Sequence, residues 1–267
     1  MPRVSAYDGL ASRWEAGPGH VYRPLARALV AASPIPLRGR LVLDVGSGTG
    51  AVAEAALASG ARVVAVDGTV SMVAFQGPQR WPGVAADALD LPFPDGAFDA
   101  AVAGFLLNHL TPESALAELA RSVRPGGTIL ASTWASGKPD TVKTSIDSVI
   151  ASRGWVPPVW YGVLKREVEP ISGDPERLAA AAKQVGLVAV NARVRSEYLG
   201  LLQPDAAVAY RLSMPHIAPW VAALDESTRA DVTRQALDEV AAHVEGWRPA
   251  VVILTCRVAV RVPSPET

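Results

Sequence analysis

The sequence predicts an α/β fold, a parallel sheet with helices packed on both faces. Three observations carry that prediction. Between residues 41 and 133, short valine-rich apolar runs alternate with helical patterns, the alternation that crossover-connected parallel strands require. The first run passes directly into alternating glycines, Leu41-Val42-Leu43-Asp44-Val45-Gly46-Ser47-Gly48-Thr49-Gly50. This describes a strand turning sharply into a helix, with glycine supplying dihedrals that a side chain forbids. Hydrophobic residues are 49% of the 267 and charged residues 19%. That is enough for one large core, or a core domain with an embedded second unit, and too apolar for global disorder.

Taken in order, strands are expected at Leu41–Val45, Arg62–Asp67, 84–87, Phe98–Gly104 and 128–133, with helices starting near Gly50, Thr69 and Pro112. The third helix is the best marked. Thr111 suits the cap, Pro112 the first helical position and Glu113 the positive end, while Leu116, Leu119 and Val123 form an apolar stripe. Pro125-Gly126-Gly127 is expected to end the helix and turn into the next strand. Beyond Thr133 the rhythm breaks, and 136–173 is rich in Pro, Gly and Trp. A helix then follows, capped by Asp174 and opened by Pro175, with Leu178, Ala182 and Val185 inward and Gly186 as its stop. Residues 188–198 read as a strand. Residues 204–246 read as a helical insertion with Val232, Ala236, Val240 and Val244 at one-turn spacing. The final strand is expected at 250–262, with 263–267 a frayed tail.

The net charge is −1, with no run of like charges, which argues against nucleic acid as a partner. Cys256 is the single cysteine and sits inside an apolar run. No internal disulfide is possible, a reducing compartment suits the chain, and Cys256 reads as a buried strand residue rather than a nucleophile. No basic-then-apolar leader and no membrane-spanning stretch are apparent. No His, Asp and Glu residues have metal-ligand spacing. The expectation is a cytoplasmic protein acting on a small molecule, without metal, membrane or nucleic acid. Oligomeric state is not specified.

Gly46, Gly48 and Ala51 satisfy a loose dinucleotide fingerprint. Asp44, two residues before the first glycine, argues against it, because a carboxylate there repels a pyrophosphate. Asp67 ends the second strand, where an acid accepts both hydroxyls of a ribose. Asp87, in Ala86-Asp87-Ala88, is placed to accept from an adenine amino group, with the Ala88 N–H facing the ring. The ordinary use of aspartate at such positions is a turn or cap. A ligand with adenine, ribose, no phosphate and a cationic end matches these acids together, and S-adenosyl-L-methionine has all four properties.

At this point the sequence resembles the class I S-adenosylmethionine-dependent methyltransferases, particularly the small-molecule type of quinone and natural-product biosynthesis. The resemblance runs through Leu43 to Gly50, Val64-Ala65-Val66-Asp67 with Ser71-Met72, and Asp87-Ala88-Leu89-Asp90-Leu91-Pro92-Phe93. It continues through Phe98-Asp99-Ala100 to Asn108-His109 and Leu119 to Thr128. It covers about 41–135. Tyr7-Asp8 through His20-Val21-Tyr22 looks more loosely like a segment closing over the cofactor.

The resemblance implies a Rossmann-like, doubly wound seven-stranded sheet, mainly parallel with its last strand antiparallel. Its divisions are N-terminal lid helices at 1–40, a cofactor-binding core at 41–135, a cap insertion at 136–173 and a core helix and strand at 174–203. A helical cap at 204–246 and the last strand and tail at 247–267 complete them. It implies that Gly46, Gly48 and Gly50 cradle the methionine and ribose portion and that Asp44 supports its amino group. Asp67 with Gly68 would bind ribose, Asp87 and Ala88 adenine, and Gly104 and Phe105 would lie beside the sulfonium. The product would be S-adenosyl-L-homocysteine.

Methyl transfer needs a base only if the acceptor loses a proton. His109, just past the fourth strand, is the candidate catalytic residue, followed by His20 and His216. The acceptor is expected to be a small apolar or aromatic metabolite, methylated by in-line displacement, with His20, Tyr22, Trp160 and His216 as its candidate contacts. The aromatics Trp155, Trp160, Tyr161, Tyr198 and Trp220 read either as an apolar, aromatic-lined pocket or as ordinary core. Ala103-Gly104-Phe105-Leu106 lacks the Asn/Asp-Pro-Pro-aromatic signature of enzymes that methylate amide or exocyclic nitrogens. Two rivals stand beside this reading: a nicotinamide-dependent oxidoreductase, and a methyltransferase-like protein that binds the cofactor without transferring methyl, as a cyclisation catalyst or interaction module.

Overall fold

The computed structural model describes residues 6–75 and 81–260. Seven strands form one sheet: β1 (Leu41–Val45), β2 (Arg62–Asp67), β3 (Gly83–Ala85), β4 (Phe98–Gly104), β5 (Val123–Trp134), β6 (Leu187–Ser196) and β7 (Ala250–Val258). Their order is β3-β2-β1-β4-β5-β7-β6. The first five pair in parallel, and β7 runs antiparallel to both of its neighbours. The fold is therefore the Rossmann-like α/β sheet with an antiparallel last strand.

Twelve helices are described. Their ranges are α1 (Ala11–Ala16), α2 (Pro18–Ala31), α3 (Ala51–Ala58), α4 (Val70–Ala74), α5 (Pro112–Ser122) and α6 (Thr141–Ser152). They continue with α7 (Val159–Glu167), α8 (Glu169–Ser172), α9 (Pro175–Gln184), α10 (Pro204–Leu212), α11 (Ala218–Ala223) and α12 (Glu226–Val244). Side chains alternate across each strand, so the sheet has two apolar faces. Val42, Ala100, Val102 and Leu130 face α2, α3, α6, α10 and α12, meeting Leu25, Leu29, Ile146, Tyr210, Ala236 and Val240. Leu43, Val45, Ala101, Ala103 and Ile129 face α5 and α9, meeting Leu116, Leu119, Leu178 and Ala182. Cys256 is buried in that second layer.

Local signals account for most boundaries. The Asp174 carboxylate accepts the Glu176 and Arg177 amides, each at 2.9 Å, at the start of α9. Asp99 is structural, accepting the Leu41 N–H at 2.8 Å and pairing with Arg124 at 2.7 Å. Arg121 likewise pairs with Asp95 at 2.8 Å.

Some boundaries depart from the expectation. Thr111 sits at the cap of α5, but its side chain makes no cap bond. Val123 leaves the helix and pairs with Phe98, so β5 starts before Pro125-Gly126-Gly127 instead of after it. The register shifts between Phe98 and Ala100, and a Cβ at Gly127 would lie 2.6 Å from the Asp99 carbonyl oxygen. The glycines thus let β5 crowd against β4 through an irregularity, a use that turn chemistry alone does not distinguish from a loop. The third strand spans only Gly83–Ala85, leaving Asp87 on the loop beyond it. The last strand ends at Val258, and the tail predicted at 263–267 lies outside the described residues. No described helix is long and apolar enough to cross a membrane.

Candidate functional site

The order β1-β4 is where the chain reverses direction across the sheet, and the carboxyl ends of the strands there open a crevice. The turn after β1 forms one wall. Gly46 and Gly48 have φ of +72° and +53°, which glycine adopts without penalty. A Cβ on Gly46 would also fall 2.9 Å from Leu106. The Gly46 and Ser47 amides donate to the Val66 carbonyl at 2.8 and 2.9 Å, tying the turn to β2. Asp67 completes the tie, accepting the Gly48 N–H on Oδ2 at 2.8 Å and the Thr69 N–H on Oδ1 at 2.9 Å. Burial raises the Asp67 carboxyl above its ordinary pKa, and these two amides pull it back down.

Most of the predicted cofactor residues meet in this crevice. Gly46, Gly48, Asp67, Gly68, Asp87, Ala88, Gly104 and His109 line it, joined by Ser47, Thr69, Phe105 and Ser132. Asp87 is exposed, and its Oδ1 accepts the Leu89 N–H at 2.9 Å, so it also closes its own turn.

Asp44 and Gly50 are not part of the crevice wall. Asp44 points to the same sheet face as Val42 and is fully buried under the first turn of α3. Neither carboxylate oxygen has a hydrogen-bond partner in good geometry among the described residues. Burial pushes its pKa up to about 8, which the Ala53 backbone amide offsets only weakly. Asp44 is expected from the sequence to support the amino group of the ligand, and the structure places it beneath the turn instead of in the crevice wall. Gly50, at φ +101°, is the cap of α3, and a Cβ there would lie 2.1 Å from the Trp81 ring. Its role is close packing rather than contact with the crevice.

At the far end of the crevice, β4 leads into Phe105, which has φ +60°. A non-glycine residue held in the left-handed region stores about 1 kcal/mol of strain. Phe105 is held there by its N–H bond to the Ser132 carbonyl at 2.9 Å and by the rings of Trp134 and Tyr22, with centroids at 4.6 and 4.9 Å. Trp14 stacks on Tyr22 at 5.2 Å, bringing α1 and α2 over the crevice. The Tyr7 hydroxyl lies 3.1 Å from His109 Nε2.

Tyr7, Tyr22, Phe105 and His109 also border a second cavity of about 480 Å³. Its walls come from the segments between β5 and β6 and from α10, and include Trp134, Lys143, Trp160, Tyr161, Arg211 and His216. His216 is 8% exposed and lies flat on Tyr161, with centroids 3.8 Å apart. Its backbone carbonyl accepts the Trp155 Nε1–H at 3.2 Å. Burial, then Arg211 and His109, lower the His216 pKa to about 2, so the ring is neutral. Arg211 is buried and grips Asp147 through two bonds of 2.6 Å.

One predicted contact, His20, falls elsewhere, and of the aromatics left open between pocket and core, Tyr198 and Trp220 line neither opening. His20 is exposed and lines neither opening, whereas Tyr22, two positions on along α2, points in. Residues two apart lie on opposite faces of a helix. Tyr198 is exposed beneath Arg248, and Trp220 packs at the edge of the first apolar layer. Conversely, Trp14, Lys143, Asp147 and Arg211 carry no sequence signal of a site. Only helix phase pointed to them, and it marks them equally well as surface. Among the described residues, no group of three or more His, Cys, Asp and Glu is placed to hold a metal ion.

Residues 43–131 match a family model described as a methyltransferase domain. Over 132 residues the chain is 39% identical to a demethylmenaquinone methyltransferase of Clavibacter sepedonicus, covering 47% of this chain and 52% of that protein. Against the demethylmenaquinone methyltransferase of Mycobacterium tuberculosis it is 36% identical over 135 residues, covering 48% and 56%. The chain thus spans about half the length of the curated relatives it matches. Among solved structures, the phosphoethanolamine N-methyltransferase 2 of Haemonchus contortus superposes with a TM-score of 0.55 at 15% identity, covering 88% of this chain and 52% of that one. The [4+2]-cyclase SpnF gives 0.54 at 18% identity, covering 91% and 82%. These superpositions concern the fold.

Proposed function

We propose that this chain, which matches a methyltransferase domain model over residues 43–131, is a class I methyltransferase that binds S-adenosyl-L-methionine and methylates a small molecule. One observation carries the choice of cofactor. Among the described residues, the charged side chains lining the crevice are Asp67 and Asp87, both acids, set beside a glycine turn that admits close backbone approach. An acid at the end of β2 takes the ribose of a dinucleotide as readily as that of S-adenosylmethionine, so the choice rests on Asp87 at the adenine end and on the crevice offering a pyrophosphate no cation among the described residues. The buried Asp44 adds a further acid beneath the same turn.

When bound, this cofactor supplies a methyl group on a sulfonium and is left as S-adenosyl-L-homocysteine. In this reading Asp67 holds the ribose hydroxyls with the lone pairs that Gly48 and Thr69 leave free. The Ala88 amide and Asp87 take the adenine edge, and Gly104 and Phe105 wall the reacting end. The second cavity seats the acceptor against Tyr22, Phe105 and Trp160. Its task is orientation and exclusion of water, which supply most of the rate in a direct displacement. For an acceptor that must lose a proton, His109 takes it, with Tyr7 beside its Nε2.

Thermal unfolding with added ligands tests the reading. S-adenosylhomocysteine should raise Tm by several degrees, and NAD or NADP should not. The opposite pattern would establish the nicotinamide reading instead. Transfer of label from methyl-labelled cofactor to a small acceptor completes the test. Tight cofactor binding without transfer across a broad panel would favour the methyltransferase-like alternative, because the fold alone does not determine the chemistry.

A further inference from the structure

The second cavity carries charges that methyl transfer itself does not require. Lys143 projects from α6 with its ammonium 3.4 Å from the centre of the Trp134 ring. Its side chain is 19% exposed, and Asp140 lies 3.3 Å away at the cap of the same helix. Arg211 enters from α10 against Asp147, and Lys165 enters from α7, paired with Glu169. Lys138 borders the same cavity without an ion-pair partner among the described residues. Four cations therefore border the cavity with three carboxylates, Arg211 and Lys143 being sheltered while Lys138 and Lys165 reach solvent. Burial depresses the Lys143 pKa to about 8, with Arg211 and Lys165 adding to the effect against the pull of Asp140.

Two further observations point to an occupant. His216 lines the cavity and is 8% exposed, and its fully buried Nε2 has no hydrogen-bond partner among the described residues. Such a group is costly unless something fills its valence. Lys143 contacts one carboxylate and one ring face, and its three N–H donors allow a further partner. Trp134 in turn touches Phe105 at 4.6 Å. The cation is thus two ring contacts away from the residue at the reacting end.

We propose that the acceptor is a compact aromatic acid, with its ring against Tyr22, Phe105 and Trp134 and its anionic group toward Lys143, Arg211 and His216. The proposal rests on the methyltransferase reading and names the substrate class of the same site. Such a molecule would place a hydroxyl toward His109 and a carboxylate toward Lys143, both of which border the cavity. The neutral His216 ring contributes a hydrogen bond rather than charge.

The test uses the full chain saturated with S-adenosylhomocysteine. Calorimetric titrations compare 6-hydroxy-2-naphthoate with its neutral isostere 6-hydroxy-2-naphthamide, and 4-hydroxybenzoate with 4-hydroxybenzamide to cover size. In at least one pair the acid should bind about tenfold tighter than the amide. In Lys143→Gln that preference should shrink to about twofold, while thermal stabilisation by S-adenosylhomocysteine shows that the variant is folded. An amide that binds as well as its acid in both pairs overturns the proposal. So does a Lys143→Gln protein that keeps the full preference, or a protein that binds neither acid. Failure on a protein that does bind S-adenosylhomocysteine removes this proposal alone, whereas failure to bind S-adenosylhomocysteine removes the methyltransferase reading with it.

Discussion

The Tyr7 hydroxyl and His109 Nε2 are 3.1 Å apart, joining the N-terminal segment to the loop after β4 across 102 positions of sequence. Burial, followed by the proximity of Tyr22 and Asp67, raises the Tyr7 pKa well above its ordinary value, so the phenol keeps its proton. The two groups share one hydrogen bond whose direction follows the His109 tautomer, and they close the boundary between crevice and cavity. If His109 accepts the acceptor proton, His109→Ala should lower kcat by about 10²-fold or more, and Tyr7→Phe by about tenfold. The kcat–pH profile of His109→Ala should lose its acidic limb, with S-adenosylhomocysteine affinity little changed. Activity of His109→Ala within a few-fold of wild type removes it as the base.

Asp67 should matter twice. Its carboxylate takes two backbone amides at 2.8 and 2.9 Å, so Asp67→Ala leaves both donors without their partner. Hydrogen bonds to a charged acceptor contribute about 1.5–3 kcal/mol each at most. The variant should therefore unfold at lower temperature and lose its stabilisation by S-adenosylhomocysteine. Asp67→Asn, which keeps one acceptor oxygen, should recover part of the stability but little of the binding. A variant that binds like wild type would contradict the ribose role.

Asp44 sets a pH dependence whose sign follows from its raised pKa. The folded carboxyl titrates at about 8 because it is buried, while the unfolded chain titrates near the ordinary carboxylate value of about 4. Between those values the folded state binds more protons than the unfolded state, so stability falls as pH rises. The ligand-free protein should accordingly lose Tm from pH 5 to pH 8, and Asp44→Asn should flatten that slope. The same variant should bind S-adenosylhomocysteine more weakly, having lost the acid beneath the turn. A wild-type slope retained in Asp44→Asn would show that another group is responsible.

Gly48 and Gly50 look alike in the sequence, yet their substitutions should separate. At Gly48 a Cβ would meet nothing closer than Trp14 Nε1 at 3.7 Å, and the cost is that of φ +53° alone, about 1–2 kcal/mol. Because Gly48 lines the crevice, Gly48→Ala should weaken ligand binding more than folding. At Gly50 the Cβ would collide with the buried Trp81 ring at 2.1 Å in addition to φ +101°. Gly50→Ala should therefore cost about 3 kcal/mol or more of stability, measured by denaturant titration. Equal stabilities would show that Trp81 moves aside freely.

Much of the site is legible because its signals are local. Asp67 and Asp87 stand at or just beyond the ends of short apolar runs, and the strand count brings those ends to one edge of the sheet. The same reasoning misplaces Asp44 because its position near the glycines says nothing about its depth. Strand alternation sends it to the face of Val42, under α3, while its neighbours form the turn. His20 was misplaced for a related reason: the helix phase that turns Tyr22 inward turns His20 to solvent.

From its sequence alone this chain determined the doubly wound sheet, the glycine turn after β1 and the acids flanking it. Period, dihedral preference and strand ends are encoded within a few consecutive residues. Only tertiary structure decided which residues line the second cavity. Trp134, Lys143, Tyr161, Arg211 and His216 come from β5, α6, α7, α10 and the turn after it. Trp134, Lys143 and Arg211 alone read as ordinary surface or core, while Tyr161 and His216 are site candidates in the sequence with no stated neighbours. Their charge and their unsatisfied imidazole acquire meaning only when packing brings the five segments around one space.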